Sequence, residues 1–76
     1  MNEKERTDRT NSIWNQVEGN WHQFKGRVKE KWNDLTDDDV EQMQGRRERV
    51  VGKIQEKYGE NQWKEADIER ELEQYR

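Results

Sequence analysis

The chain of 76 residues contains no cysteine and no proline. Without cysteine it can form no disulfide, carries no thiol nucleophile and has no cysteine-based metal site. This composition fits a reducing compartment but does not identify one. The absence of proline removes the strongest helix-breaking residue from the whole sequence.

Long apolar runs are also missing. The N-terminal stretch MNEKERTDRT lacks the apolar segment of a signal peptide, and no run approaches the length that a bilayer requires. The sequence therefore predicts a cytoplasmic protein that does not act at a membrane.

Apolar residues are scarce, at 26% of the chain against 43% charged residues. This balance favours disorder, whereas four tryptophans and a net charge of only −3 favour a folded chain. The length allows one small domain of marginal stability. A sequence pI near 5.2 argues weakly against a dedicated DNA-binding protein.

Large apolar residues recur at intervals of three and four from Trp14 onwards, as on one face of an amphipathic helix. We predict a first helix over residues 12–33 and a disordered polar tail over residues 1–11. The stripe of this first helix and the residues that follow it are Trp14, Val17, Trp21, Phe24, Val28, Trp32 and Leu35.

A helix start is indicated at Thr36, which precedes three aspartates. The threonine hydroxyl can cap free amides, and Asp39 can reach back from the third helical position to form a capping box. We predict a short second helix from here to about Gln44, with Gly45 breaking the chain after it.

The third predicted helix carries Val50, Val51, Ile54 and Tyr58 on one side, and Gly59 suits the left-handed position after its end. A fourth helix is predicted from Asn61. No alternating strand pattern occurs, so we predict an all-α domain over residues 12–76, a small four-helix domain of two packed hairpins. The expected core is Trp14, Val17, Trp21, Phe24, Val28, Trp32, Leu35, Val40, Met43, Val50, Val51, Ile54, Tyr58, Ile68 and Leu72.

An internal repeat links the first and third predicted helices. EGNWHQFKGRVKEKW begins at Glu18, and QGRRERVVGKIQEKY begins at Gln44. Gly19, Gly26 and Gly52 fall behind the apolar stripes, where an exposed glycine costs about 1 kcal/mol relative to alanine. Either another backbone approaches these glycines, as in a contact with a partner, or a helix bends there. Gly19 could instead end a first short helix.

The two phrases, together with LTDDD, resemble the CsbD-like family, whose pattern is similar to EGxWxxxKGxxKExW, LTDDD and GxxxxxxGxIQExYG. The resemblance covers about Val17 to Gly59. It implies a compact helical domain of two hairpins, bacterial origin and induction under general stress. It implies no catalytic residue, because none is established for that family.

Catalytic and metal-binding patterns are weak. The hydroxyl residues Thr7, Thr10, Ser12 and Thr36 lie in the tail or at a helix start, so no nucleophilic triad is predicted. The three aspartates of the second helix point in different directions, which favours capping over a cation site. His22 has no co-ligand. We predict no enzyme, no cofactor and no metal.

Two basic faces give a nucleic-acid hypothesis, since tryptophans could also stack on bases. The acidic residues near the C-terminus could screen these faces from within the molecule. The candidate contacts on the first and third predicted helices are Lys25, Arg27, Lys29, Lys31, Arg46, Arg47, Arg49 and Lys53.

Protein association is the other hypothesis, with a second copy or an unidentified protein meeting the glycine face at Gly19, Gly26 and Gly52. We therefore expect a non-enzymatic stress-response protein that acts by protein binding or physical protection. Weak nucleic-acid binding is the alternative.

Overall fold

The computed structural model describes residues 13–75. Within this range, five helical segments are joined by turns. They are α1 (13–19), α2 (Trp21–Lys31), α3 (Asp37–Met43), α4 (Arg47–Tyr58) and α5 (Glu65–Glu73). No strand occurs in this part of the chain, so the all-α class is confirmed. The tail predicted over residues 1–11 lies outside the described residues.

The first predicted helix is two helices, which corrects the single span of 12–33. Asn20 has the non-helical angles φ −124° and ψ 33°, and its backbone amide donates to Gln16 O at 2.9 Å. Glycine and asparagine both have low helix propensity, and together they form the break between α1 and α2. The alternative that Gly19 ends a first short helix is therefore correct. The apolar stripe runs across the break without losing its spacing, so periodicity alone does not show it.

The predicted capping box of α3 is present. The amide of Asp39 donates to Thr36 Oγ1 at 3.1 Å, and the amide of Thr36 donates to Asp39 Oδ2 at 3.0 Å. Helix α3 ends at Met43, and its C-cap residue Gln44 adopts the left-handed conformation with φ 53°. Gly45 follows with a φ of 74°. The boundary predicted at these two residues is confirmed.

The last helix begins at Glu65 and not at Asn61, which corrects the predicted start. The amides of Gln62 and Trp63 both donate to Gly59 O, at 3.2 and 3.1 Å, so residues 59–63 form a turn. The side-chain amide of Gln55 donates to Trp63 O at 3.1 Å and holds this turn against α4. Gly59 has a positive φ of 103°, but its ψ of 138° lies outside the left-handed helical region.

The predicted core is largely confirmed. Val51 and Tyr58 are only partly buried, and Ile13, which the sequence did not indicate, is 1% exposed. The phenolic oxygen of Tyr58 accepts a hydrogen bond from the exposed amide of Asp34 at 2.9 Å, which explains why its ring stays at the edge. The other thirteen predicted residues are buried: Trp14, Val17, Trp21, Phe24, Val28, Trp32, Leu35, Val40, Met43, Val50, Ile54, Ile68 and Leu72.

The short helix α3 lies between α2 and α4 and packs on both. It contributes Val40 and Met43 to the core, and Trp21 Nε1 donates to Val40 O at 2.8 Å in a buried hydrogen bond. Helix α5 closes the other side through Ile68 and Leu72, both fully buried. The finer description as two packed hairpins stays a prediction.

Candidate functional site

The three candidate glycines are all exposed. A Cβ atom placed on Gly19, Gly26 or Gly52 would meet no atom within 4 Å apart from the local backbone. No other part of residues 13–75 therefore approaches the glycine face. The hypothesis of an internal close approach fails at these positions, and the hypothesis of an external contact stays a prediction.

Close backbone packing occurs instead at Gly45, which the sequence indicated only as a boundary. A Cβ on Gly45 would lie 2.7 Å from Glu18 Cα and 2.7 Å from Val17 O. Both are backbone atoms of α1. Nothing in the local sequence signals this contact, because the two segments are distant along the chain and meet only in the fold.

Gly52 lies on a ridge between two shallow grooves. The groove between α3 and α4 has a volume of about 550 Å³, and Met43, Glu48 and Arg49 are among its lining residues. The second groove has a volume of about 430 Å³ and includes Val51. We call Gly52 with these two grooves the Gly52 ridge. Its borders carry charges of both signs.

The basic candidates on α2 mostly have partners within the chain. Lys25 pairs with Glu41, and Lys29 Nζ lies 2.6 Å from Asp37 Oδ1. The Lys29 ammonium lowers the pKa of the Asp37 carboxyl below its ordinary value, mainly through this hydrogen bond. These two lysines thus fasten α3 to α2.

The other two basic residues of α2 face α5 and the end of the described chain. Lys31 Nζ lies 3.8 Å from Glu71 Oε2 and 5.6 Å from the centroid of the Trp63 ring. Arg27 Cζ lies 5.8 Å from the centroid of the Tyr75 ring.

The basic candidates at the start of α4 are also engaged. Arg46 Nε lies 3.9 Å from Glu18 Oε2, and Arg47 forms an ion pair with Glu65. The hydrogen bond to Glu65 raises the pKa of the Arg47 guanidinium. Both arginines therefore face a carboxylate that any phosphate group would have to replace.

Arg49 and Lys53 complete the basic face of α4. Arg49 donates to the backbone oxygen of Gln42 at 3.1 Å. Lys53 Nζ lies 3.1 Å from Glu56 Oε1 and 3.8 Å from Asp39 Oδ1, and the hydrogen bond to Glu56 raises the pKa of the Lys53 ammonium. Six of the eight basic candidates thus pair with a carboxylate, and Arg27 and Arg49 form no such ion pair with the residues that the structure describes. Their role in nucleic-acid contact stays a prediction.

The aspartates of α3 serve its N-terminus. The hydrogen bond from the Thr36 backbone lowers the pKa of the Asp39 carboxyl, and the Lys57 and Lys53 ammonium groups add to this effect. Capping is therefore the observed role of Asp39, whereas Asp37 pairs with Lys29. Within residues 13–75 no group of histidine and acidic side chains is arranged to hold a metal ion.

The tryptophan side chains differ in how their polar atoms are satisfied. Trp14 Nε1 donates to Glu69 Oε2 at 2.9 Å, which ties α1 to α5. Trp32 is fully buried, and its Nε1 has no hydrogen-bond partner among the described residues. The Trp32 ring packs edge-on against Trp63, with centroids 5.1 Å apart and an angle of 75°.

Among the hydroxyl residues considered as nucleophiles, Thr36 is used as a helix cap. Thr7, Thr10 and Ser12 lie outside the described residues. Across residues 13–75 no helix combines the length and apolar character needed to cross a bilayer.

These features define a small, highly charged all-α domain with a shared core and no visible catalytic arrangement in its described part. The profile of the CsbD-like family matches residues 15–66, and the chain belongs to this family. The identification from the repeated phrase and LTDDD is confirmed. No solved structure matches the chain.

Several bacterial relatives share the central segment. UPF0337 protein RPA4217 of Rhodopseudomonas palustris is 65% identical over 46 residues, which cover 60% of this chain and 70% of that protein. UPF0337 protein YjbJ of Escherichia coli is 63% identical over 41 residues, covering 54% and 59%. UPF0337 protein ECA0631 of Pectobacterium atrosepticum is 57% identical over 44 residues, covering 58% and 64%. The matched segment thus spans 59% to 70% of the length of these relatives.

Proposed function

We propose that this chain is a non-enzymatic, cytoplasmic stress-response protein that acts by binding another protein at the Gly52 ridge. Membership of the CsbD-like family supports the stress role. The observation that supports the binding mode is the open space beside Gly52, where an added Cβ would meet nothing within 4 Å.

Gly52 carries an energetic cost within α4. A glycine in an exposed helix interior destabilises the helix by about 1 kcal/mol relative to alanine. A domain of this size has a total stability of about 4 to 11 kcal/mol, so this cost is a sizeable fraction. No contact among the described residues compensates for it. A partner backbone that approaches α4 closely would do so, because glycine removes the side chain that would hold it away.

The grooves on either side of Gly52 give such a partner a surface of suitable shape. Val51 is partly exposed there, and Met43 lies beneath the larger groove. The mixed charges of Glu48 and Arg49 at its border favour a partner that is itself mixed in charge. A helix of another protein fits this description.

The test compares a blocking variant with a matched control. Gly52→Leu fills the ridge with a good helix former, whereas Gly26→Ala makes a similar helix-stabilising change on α2. Proteins from stressed bacterial cells are captured on the immobilised wild-type chain and on each variant, after circular dichroism has shown that both variants are folded. Specific proteins retained by the wild type and by Gly26→Ala, but lost with Gly52→Leu, would support the proposal.

Physical protection would give a different result. If the chain shields other proteins through its hydrated surface alone, the wild type and Gly52→Leu should suppress the heat aggregation of a labile enzyme equally well. Equal protection together with equal capture would refute binding at the ridge. Sedimentation over a range of concentrations tests the homodimer, since the wild type would associate and Gly52→Leu would remain monomeric if the partner is a second copy.

A further inference from the structure

Two cations of α2 each lie over an aromatic ring that flanks α5, since Trp63 precedes this helix and Tyr75 follows it. Arg27 and Lys31 are one helical turn apart, and each lies over a ring, at 5.8 Å from the Tyr75 centroid and 5.6 Å from the Trp63 centroid. Both cations are exposed, and both rings are half-buried. We call these four side chains the α2–α5 ladder. It lies apart from the Gly52 ridge, which is built on α3 and α4.

A carboxylate of the chain itself, that of Glu71, already contacts the α2–α5 ladder. Glu71 Oε2 lies 3.8 Å from Lys31 Nζ, and the Glu71 side chain is only 23% exposed. Glu71 also acts on Tyr75: burial raises the pKa of the Tyr75 phenol, and the negative charge of Glu71 raises it further. Glu30, on α2, adds a weaker effect of the same sign. The Glu71 carboxylate therefore already occupies the position beside Lys31 at which an external anion would bind.

A cleft of about 410 Å³ continues the ladder beyond Arg27. Phe24 is buried at this cleft, and the amide side chains of Gln16, Asn20 and Gln23 line it. Amide groups carry both hydrogen-bond donors and acceptors, as the edges of nucleobases do. The cleft lies beside the break between α1 and α2, since Asn20 is one of its lining residues.

We propose that the α2–α5 ladder binds single-stranded nucleic acid. Arg27 and Lys31 turn away from the ring faces to pair with neighbouring phosphates. The freed faces of Tyr75 and Trp63 then stack on unpaired bases, and one base enters the amide-lined cleft. Single-strand binding surfaces combine these two elements, cations that follow the backbone and aromatic rings that stack on bases. Glu71 acts as an internal competitor for Lys31.

The charges of the chain set the strength of this binding. The net charge is −3, and only two cations make phosphate contacts, so the affinity is weak and falls moderately as the salt concentration rises. The logarithm of the binding constant should fall with the logarithm of the salt concentration with a slope of about −1.4, the value for two phosphate contacts on a single strand.

The experiment is an anisotropy titration of a labelled oligothymidylate at low and at physiological salt. Glu71→Gln should bind about fivefold more tightly than the wild type, the factor expected when a surface ion pair no longer competes. Glu65→Gln is the matched control, because it removes the same charge from α5 next to Arg47, away from the ladder. Its affinity should change little.

A second set of variants tests the residues that would bind. Lys31→Gln should abolish the low-salt binding, whereas Lys25→Gln, on the same helix but paired with Glu41, should retain it. Tryptophan fluorescence should be quenched by the oligonucleotide, and Trp63→Phe should lose most of that quenching. The side chains of Lys25 and Lys31 are 27% and 40% exposed and neither belongs to the buried core, so neither change threatens the fold.

Three results would overturn the inference. The first is an equal gain in affinity for Glu71→Gln and Glu65→Gln, which would reflect net charge alone. The second is the absence of binding by both the wild type and Glu71→Gln at low salt. The third is equal affinity for duplex and single strand, because stacking on Trp63 and Tyr75 requires unpaired bases.

Discussion

Replacing Gly45 and Gly52 by alanine should have opposite effects on stability. At Gly52 the new methyl group meets nothing within 4 Å, so Gly52→Ala should stabilise the domain by about 1 kcal/mol through helix propensity. At Gly45 the methyl group would lie 2.7 Å from two backbone atoms of α1. Neither atom can move without displacing the whole helix.

The loss at Gly45 has two parts. The positive φ of 74° costs a residue with a Cβ about 1 to 2 kcal/mol. Forcing an extra methyl group into a packed position adds about 1 to 3 kcal/mol. Gly45→Ala should therefore lose about 2 to 5 kcal/mol, out of a total stability of about 4 to 11 kcal/mol.

Thermal and urea unfolding followed by circular dichroism would measure both changes. For a domain of this size about 1 kcal/mol shifts the midpoint temperature by about 4 to 8 °C. Gly59→Ala tests a conformational cost without a clash, because Gly59 also has a positive φ but an added Cβ there would meet nothing within 4 Å. It should lose stability through backbone conformation alone, and at φ 103° and ψ 138° this loss differs in size from the one at Gly45. A Gly45→Ala protein as stable as the wild type would refute the proposed contact with α1.

Two further perturbations address α3 and the buried indoles. Thr36→Ala should destabilise the domain by about 1 kcal/mol, measured by urea unfolding, because it removes a helix cap. The folded-state pKa of Asp39 lies below its unfolded value, so its contribution is present above the ordinary carboxyl pKa and is lost as the pH falls through the folded pKa. Acid titration of Asp39→Asn should show a weaker loss of stability than the wild type. Trp21→Phe should cost about 1 kcal/mol more than Trp32→Phe, because only the Trp21 indole donates a buried hydrogen bond; equal losses would contradict this assignment.

The start of α3 and the core-facing stripes follow from local patterns that the sequence shows directly. The capping box at Thr36 depends on four neighbouring residues, and the core stripes depend on spacings of three and four, so both were predictable. The start of α5 was not. Asn61 is a good capping residue by type, but the bonds that Gly59 O accepts hold residues 59–63 in a turn and delay the helix to Glu65.

The candidate site was less predictable than the fold. The exposed position of Gly26 and Gly52 followed from helical geometry, since both lie opposite the apolar stripe. The partners of the basic residues did not, because pairs such as Arg46 with Glu18 join distant segments and depend on how the helices pack. Gly45 shows the same limit, since its neighbours on α1 cannot be inferred from the residues around it.

The contact of Gly45 with the backbone of Val17 and Glu18 also fixes a chain length. Residues 18 and 45 enclose α2, the turn at residues 32–36 and α3. The contact therefore holds both ends of this segment at a fixed separation. One residue inserted into that turn would push Gly45 off α1 or distort a helix. By contrast, the turn at residues 59–63 precedes α5, the last helix of the described residues. An insertion in this turn requires a shift of that one helix. The two turns should therefore differ sharply in their tolerance of length changes during evolution or in engineered fusions.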